Sequence, residues 1–251
     1  MDSRRQIDLG SKGDQLAMAL LGTLVNGIAI IVGAMVGLIF TRIPERVKTT
    51  VMQAIALAVI LLGMGMGLES DQFLITIGSL VLGGVLGEWL RIEEYLNAFG
   101  YWIEKKAGST GGDGLFAKGF VTASLVYVVG AMAVLGALDS GLRLDHSLLY
   151  TKAMLDGFSS IFFASMMGIG VLFSVVPVVL YQGTIALLAG QINRIVPDPL
   201  LEMFITEMTA AGGVMIVAIG VRLLGIVDVK VANLLPAIPV VFMITSLLYF
   251  F

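Results

Sequence analysis

From Leu16 to Phe251 the sequence is a succession of apolar stretches with short polar breaks. Nearly every stretch is long enough to cross a hydrocarbon core of about 30 Å at about 1.5 Å per helical residue. No other feature constrains the fold as severely, because in lipid each backbone N–H and C=O must find its partner inside the protein. The expected fold class is all-α, a polytopic transmembrane helix bundle. Hydropathy places spans at 16–40, 49–68, 72–90, 115–138, 148–167, 170–190, 200–224 and 232–250, eight in all. Gly168-Ile169-Gly170 supplies a turn between the fifth and sixth; Pro177 offers the alternative of a kinked or re-entrant piece, which would lower the count to seven.

Composition removes several function classes. Hydrophobic residues make up 58% of the chain and charged residues 13%, and the mean hydropathy is +0.98, against about 25% charged in soluble domains. A net charge of -3, without a basic patch, gives nucleic acid nothing to bind. The chain has no cysteine and one histidine, His146 in a short polar loop, so thiolate metal sites, His-rich sites and a Ser-His intramembrane protease are not expected. Gly63-Met64-Gly65-Met66-Gly67 lacks the directly following aspartate of a GxGD-type aspartyl protease, and no phosphate-binding Gly-x-x-x-x-Gly-Lys-Ser/Thr loop occurs. The reading is therefore not an enzyme, with no metal and no cofactor.

Residues 1–15 are polar, of mixed charge and without an apolar core, and read as an expression scar or a native tail. Residues 16–251 read as a single transmembrane domain. Within it, residues 91–107 place Ile92, Tyr95, Leu96, Phe99, Trp102 and Ile103 at helical spacing, which predicts an amphipathic helix in the interface. The following 108–114 reads as a flexible connector. Arg42, Arg46, Lys48, Arg91, Lys105, Lys106, Lys118, Arg222 and Lys230 fall on one side of an eight-span topology. The positive-inside bias assigns that side to the cytoplasm and both termini to the other.

Thr41-Arg42-Ile43-Pro44-Glu45 after the first span resembles Asn193-Arg194-Ile195-Val196-Pro197-Asp198 after the sixth, and Val59 to Leu68 can be laid on Val214 to Leu223 with Gly65 on Gly220. Spans 1–3 and 6–8 then correspond in opposite orientations, as two inverted three-helix repeats of the kind transporters use; low complexity alone is the competing explanation.

A charge at bilayer depth costs about 2.5–3.5 kcal/mol even on the lenient insertion scale, so it faces a partner or a water-filled cavity. Lys152 and Asp156 are four residues apart and share a helix face that continues through Ser159, Ser160 and Phe163. Lys152 is near enough to its helix end to snorkel. Asp156 sits deeper, beside Gly157 and two serines that leave room for water or an ion. In the seventh span Glu202, Thr206, Thr209 and Gly213 form a stripe, with Glu207 about a hundred degrees away. Glu202 belongs at the interface. Glu207, about two turns in, is expected to exchange protons if unpaired; the alternative is that it accepts hydrogen bonds from a neighbouring helix and moves none. Ala210-Ala211-Gly212-Gly213 allows close approach or unwinding, and Pro236 and Pro239 could break the last span. Asn26, Gln53, Gln182 and Asn233 are lone amides in four other spans, either interhelical glue or ligands. Ala29, Gly33 and Gly37, and Ser79, Gly83 and Gly87, read as packing stripes.

Leu21-Gly22-Thr23-Leu24-Val25-Asn26, the run Val129 to Leu138, Lys152-Ala153-Met154-Leu155-Asp156-Gly157 and Tyr181-Gln182-Gly183 together resemble the YqgA/YdfK-like family of uncharacterised bacterial inner-membrane proteins. The resemblance covers residues 18–251. It implies a multi-pass protein of the bacterial plasma membrane, favours Met18 as the natural start, and transfers no catalytic residue. The functional expectation is a transporter or channel for a small solute or ion in a lipid bilayer, as a homo-oligomer. Its pathway would use Asp156, Lys152, Ser159, Ser160, Glu207, Thr206, Thr209, Asn26, Gln53, Gln182 and Asn233. The alternative is a non-transporting scaffold or sensor that docks partners through the amphipathic helix.

Overall fold

A computed structural model describes residues 16–39, 45–106 and 115–251. The polar tail 1–15, most of the Thr41-to-Glu45 connector and the segment 108–114 lie outside the described residues. Among those described, the chain is helical throughout and without strands. The first three spans are α1 (Leu21–Ile39), α2 (Glu45–Gly67) and α3 (Phe73–Leu90). Arg91, in the left-handed region at φ 53°, turns the chain into α4 (Ile92–Lys106), the amphipathic helix, with Tyr95 and Trp102 exposed.

The fourth span departs from expectation. Instead of one helix over 115–138, the chain forms α5 (Leu115–Val128) and α6 (Ala131–Arg143), bent by 61°. Gly130 sits at the break with φ 133°, a conformation closed to residues with a Cβ. α7 (Ser147–Met167) follows a turn in which Asp145 accepts hydrogen bonds from Ser147 Oγ and N, which hold its carboxyl below the usual range. Gly168, at φ 77°, ends α7. The short α8 (Gly170–Phe173) then runs into α9 (Val175–Ile195) as one apolar span, so Gly168 to Gly170 is a turn between α7 and that span. Pro177 falls in the first turn of α9, where its missing N–H costs nothing.

α10 (Asp198–Leu223) is one continuous helix; Ala210 to Gly213 does not unwind. The last span begins with a 3-10 turn (Val231–Leu234) and continues, after Pro236, as α11 (Ala237–Phe250). Among the described residues, six helical segments are long and apolar enough to cross a membrane, or seven if the bent α5–α6 pair counts as one span. α7, with 21 residues, carries Lys152 and Asp156 and is not among them.

Glycine sets how these helices meet. A Cβ on Gly33 or Gly37 of α1 would strike the backbone oxygens of Gly157 and Ile161, and one on Gly22 would strike Leu149, so α1 and α7 run parallel with their backbones touching. Three other pairs run antiparallel. Gly27 lies on Val179 and Val175, and Gly183 on Leu20 (α1 with α9). Gly213 lies on Gly63 and Gly67, and Gly220 on Ala56 and Ile60 (α2 with α10). Gly83 lies on Ala237, and Gly87 on Asn233 (α3 with the last segment). Both sequence stripes therefore pack inside one chain. With lipid as apolar as leucine, these contacts stabilise through close van der Waals packing more than through exclusion of water. Ile30, Phe163, Met167, Met215 and Ile216 fill the core between them.

Candidate functional site

The parallel contact of α1 and α7 determines what lies beside Asp156. Lys152 Nζ, one turn earlier on α7, is 3.1 Å from both carboxylate oxygens. Asn26 on α1 donates from Nδ2 to Asp156 Oδ2 (3.1 Å) and to Gln182 Oε1 on α9 (3.3 Å). Ser160 Oγ donates to the Asp156 carbonyl at 2.7 Å, which leaves it to accept from Tyr127 OH at 2.9 Å. Tyr127 sits at the end of α5, just before the bend.

Asp156 is 5% exposed and Lys152 6%, so Lys152 does not snorkel; the lysine is the carboxylate's counter-charge. The network is nevertheless unfinished. Asn26 Oδ1, Gln182 Nε2 and the hydroxyl of Thr23, one turn before Asn26, are buried without a hydrogen-bond partner among the described residues. Each such group costs about 1–3 kcal/mol unless something fills its place.

Glu207, 1% exposed, is not the unpaired carboxylate considered above. Oε1 accepts from the backbone N–H of Asp71 (3.0 Å) and Gln72 (2.8 Å), and Oε2 from Ser70 Oγ and Thr76 Oγ1, both at 2.7 Å. Gln72, at the N-terminus of α3, has no side-chain cap of its own. Glu207 therefore caps α3 from the neighbouring helix, satisfying donors that α3 cannot satisfy itself. Thr206 and Thr209 line a separate cavity of about 400 Å³ with Glu69, Asp198 and Glu202.

The remaining candidates lie elsewhere. Asn233 accepts from the Glu93 N–H (2.7 Å) and donates to Glu88 Oε2 (2.7 Å), and the other Glu88 oxygen holds Lys230 at 2.7 Å. That bond keeps the Lys230 ammonium above its usual range. Gln53 is exposed on α2. Ser159 donates to Leu155 O and borders an apolar groove. Five of the eleven candidates thus converge: Asn26, Lys152, Asp156, Ser160 and Gln182.

A family model described as a protein of unknown function, DUF554, matches residues 21–246. The chain belongs to the DUF554 family. It is 32% identical over 224 residues to the uncharacterized membrane protein YdfK of Bacillus subtilis (strain 168), an alignment covering 87% of this chain and 93% of that protein. It is 26% identical over 228 residues to the uncharacterized protein YqgA of Escherichia coli (strain K12), with the same coverage. No solved structure matches the chain. In this DUF554 protein the segments that carry the family resemblance include those supplying Asn26, Lys152, Asp156 and Gln182.

Two members of the network are not among the pathway candidates of the sequence reading. Tyr127 had a usable signal: a tyrosine in mid-span needs a partner for its hydroxyl. Thr23 had none, since a lone threonine in a membrane helix usually bonds to its own preceding turn. His146 does lie in a loop, but its side chain is buried and its Nδ1 is 2.7 Å from Ser140 Oγ. Because Ser140 donates to Ala19 O, that contact has the imidazole Nδ1–H as its donor.

Proposed function

We propose that this multi-pass membrane protein is a transporter or channel for a small solute or ion in the bacterial plasma membrane, with Asp156 at the centre of its pathway. One observation carries the reading: a buried carboxylate from α7, held by its own lysine, adjoins unpartnered polar atoms from α1 and α9. A purely structural ion pair would be expected to close its shell, because open buried groups are costly. Here Asn26 Oδ1, Gln182 Nε2 and Thr23 Oγ1 remain available to water or to a solute. In this reading a proton or small cation competes with the Lys152 ammonium for Asp156, and Asn26 Oδ1 and Thr23 Oγ1 complete a cation's coordination.

An inverted repeat supports the same reading. The helices that correspond in spans 1–3 and 6–8 are the ones that meet antiparallel: α1 with α9, α2 with α10, and α3 with α11. The pair Asn26-Gly27 matches Gln182-Gly183, and these two amides hydrogen-bond to each other. A site between such halves is where alternating access would place its substrate.

The test uses a chain without native cysteine. Single cysteines at 23, 182 and 207 are exposed to membrane-impermeant thiol reagents, and proteoliposomes are assayed for ion-driven flux. Labelling at 23 and 182 but not at 207, with flux lost in folded Asp156→Asn, is the expected result. Wild-type flux in that variant would sink the assignment.

A further inference from the structure

Where α10 begins, at the end of that helix opposite Arg222, a cavity of about 400 Å³ opens between α10, α6 and the turn that follows α2. Asp198 and Glu202 of α10 and Glu69 of the turn bring three carboxylates to it, and no lysine or arginine lines it. None of the three has an ion pair among the described residues. Arg143 is held by Asp139 at 3.2 Å, and Arg194, exposed at the end of α9, pairs with none of them. The turn that carries Glu69 is itself fixed, because Glu207 accepts from Ser70, Asp71 and Gln72.

A group of exposed carboxylates alone would be an ordinary wet surface. The inner end of this cavity sets it apart. Asp198, Glu202, Thr206 and Thr209 follow at four-, four- and three-residue spacing on one stripe of α10, so the lining runs along the helix for roughly 16 Å. Thr209, the furthest in, is 2% exposed, and its Oγ1 has no hydrogen-bond partner among the described residues. A threonine inside a membrane helix ordinarily bonds back to its preceding turn; this one keeps its oxygen free. A buried polar atom left open in this way calls for a donor from outside. Ala131 and Leu135 of α6, with Leu201 and Ile205 of α10, make the rest of the lining apolar.

These features narrow the ligand. Among the described residues no three acidic or histidine side chains stand close enough to hold a metal ion, so one compact divalent ion does not answer the three carboxylates together. Positive charges set apart and joined by methylenes do. Each primary ammonium offers three N–H donors and no acceptor, which suits a carboxylate or the Thr209 oxygen, and the methylenes suit the apolar wall.

We propose that this cavity binds an aliphatic polyamine, with ammonium groups on Asp198, Glu202, Glu69 and the Thr209 hydroxyl and with its methylenes between α6 and α10. The positive-inside bias assigns this face to the side away from the cytoplasm, so the ligand enters from there. No residue of the Asp156 network lines the cavity, and the site does not depend on flux through that network.

The test titrates the full chain, purified in neutral detergent at fixed ionic strength, with spermidine and separately with magnesium chloride, reading the thermal unfolding midpoint. Spermidine should raise the midpoint of the wild type at a lower concentration than magnesium. Glu202→Gln, exposed at the mouth and therefore expected to fold, should weaken the apparent spermidine affinity about fivefold or more. Thr209→Val, close to isosteric, should weaken it about threefold. Asp71→Asn removes an exposed carboxylate of the same turn that does not line the cavity, and should leave the titration unchanged. Magnesium acting as strongly as spermidine, or Asp71→Asn weakening spermidine as much as Glu202→Gln, would reduce the site to a diffuse acidic surface and overturn the proposal. So would identical spermidine titrations of wild type, Glu202→Gln and Thr209→Val.

Discussion

Of the three buried carboxylates among the described residues, Asp156 and Glu207 have opposite surroundings. Glu207 accepts four hydrogen bonds from neutral donors, two of them backbone amides at the start of α3, and neither of its oxygens lacks a partner. Asp156 has a cation, one amide, and a fringe of buried polar atoms without partners. The first arrangement is complete and holds a loop and a helix terminus in place. The second balances charge but leaves hydrogen-bonding capacity open, as a site that receives something from outside would. Burial alone does not separate the two; the number and kind of donors does.

That contrast sets the order of expected effects. Glu207→Ala leaves four donors facing a gap at about 1–3 kcal/mol per buried unsatisfied group, so a loss of several kcal/mol and failure to yield monodisperse protein is expected by size exclusion. Should Glu207→Gln instead fold normally and lose only flux, the distinction between the two carboxylates would collapse. Asp156→Asn leaves a buried ammonium without its counter-charge, costing about 3–5 kcal/mol. Replacing both members, Lys152→Met with Asp156→Leu, should recover most of the unfolding midpoint while flux stays absent. Gln182→Leu removes an amide whose Nε2 is unpartnered, so stability should change by about 1 kcal/mol or less, while flux falls about tenfold or more. Thr209→Val removes a buried, unpartnered hydroxyl near the Glu207 cap and should shift stability by about 0.5 kcal/mol or less, with flux untouched.

Six of the expected spans were legible because their signal is long and redundant, a run of about twenty apolar residues. The face shared by Lys152 and Asp156 followed from four-residue spacing, and the packing role of Gly33, Gly37, Gly83 and Gly87 from small side chains one turn apart. What stayed hidden depends on tertiary contact. Gly130 is one glycine among 31, and nothing in its neighbours distinguishes a φ of 133° from an ordinary helical value. Three of the four donors to Glu207 come from a four-residue polar break, Glu69 to Gln72, that reads only as a turn between spans, and the fourth is Thr76 in α3. Arg222 was visible as a charge at a span end, where it informs topology; that it would join an interlocked cluster with Glu88, Glu93 and Asn233 required α3, α4, α10 and the 3-10 turn to be in place.

The bend at Gly130 also bears on biogenesis. α5 and α6 have 14 and 13 residues, about 20 Å each, so neither crosses a bilayer alone. The backbone groups released where they part cannot be left facing hydrocarbon. Met66 of α2 reaches Gly130 from earlier in the chain, but Gly212 of α10, packed against Val129, is synthesised later. This segment therefore cannot settle as an independent unit when it leaves the ribosome. Its packing is complete only once α10, in the second half of the polypeptide, arrives to receive it.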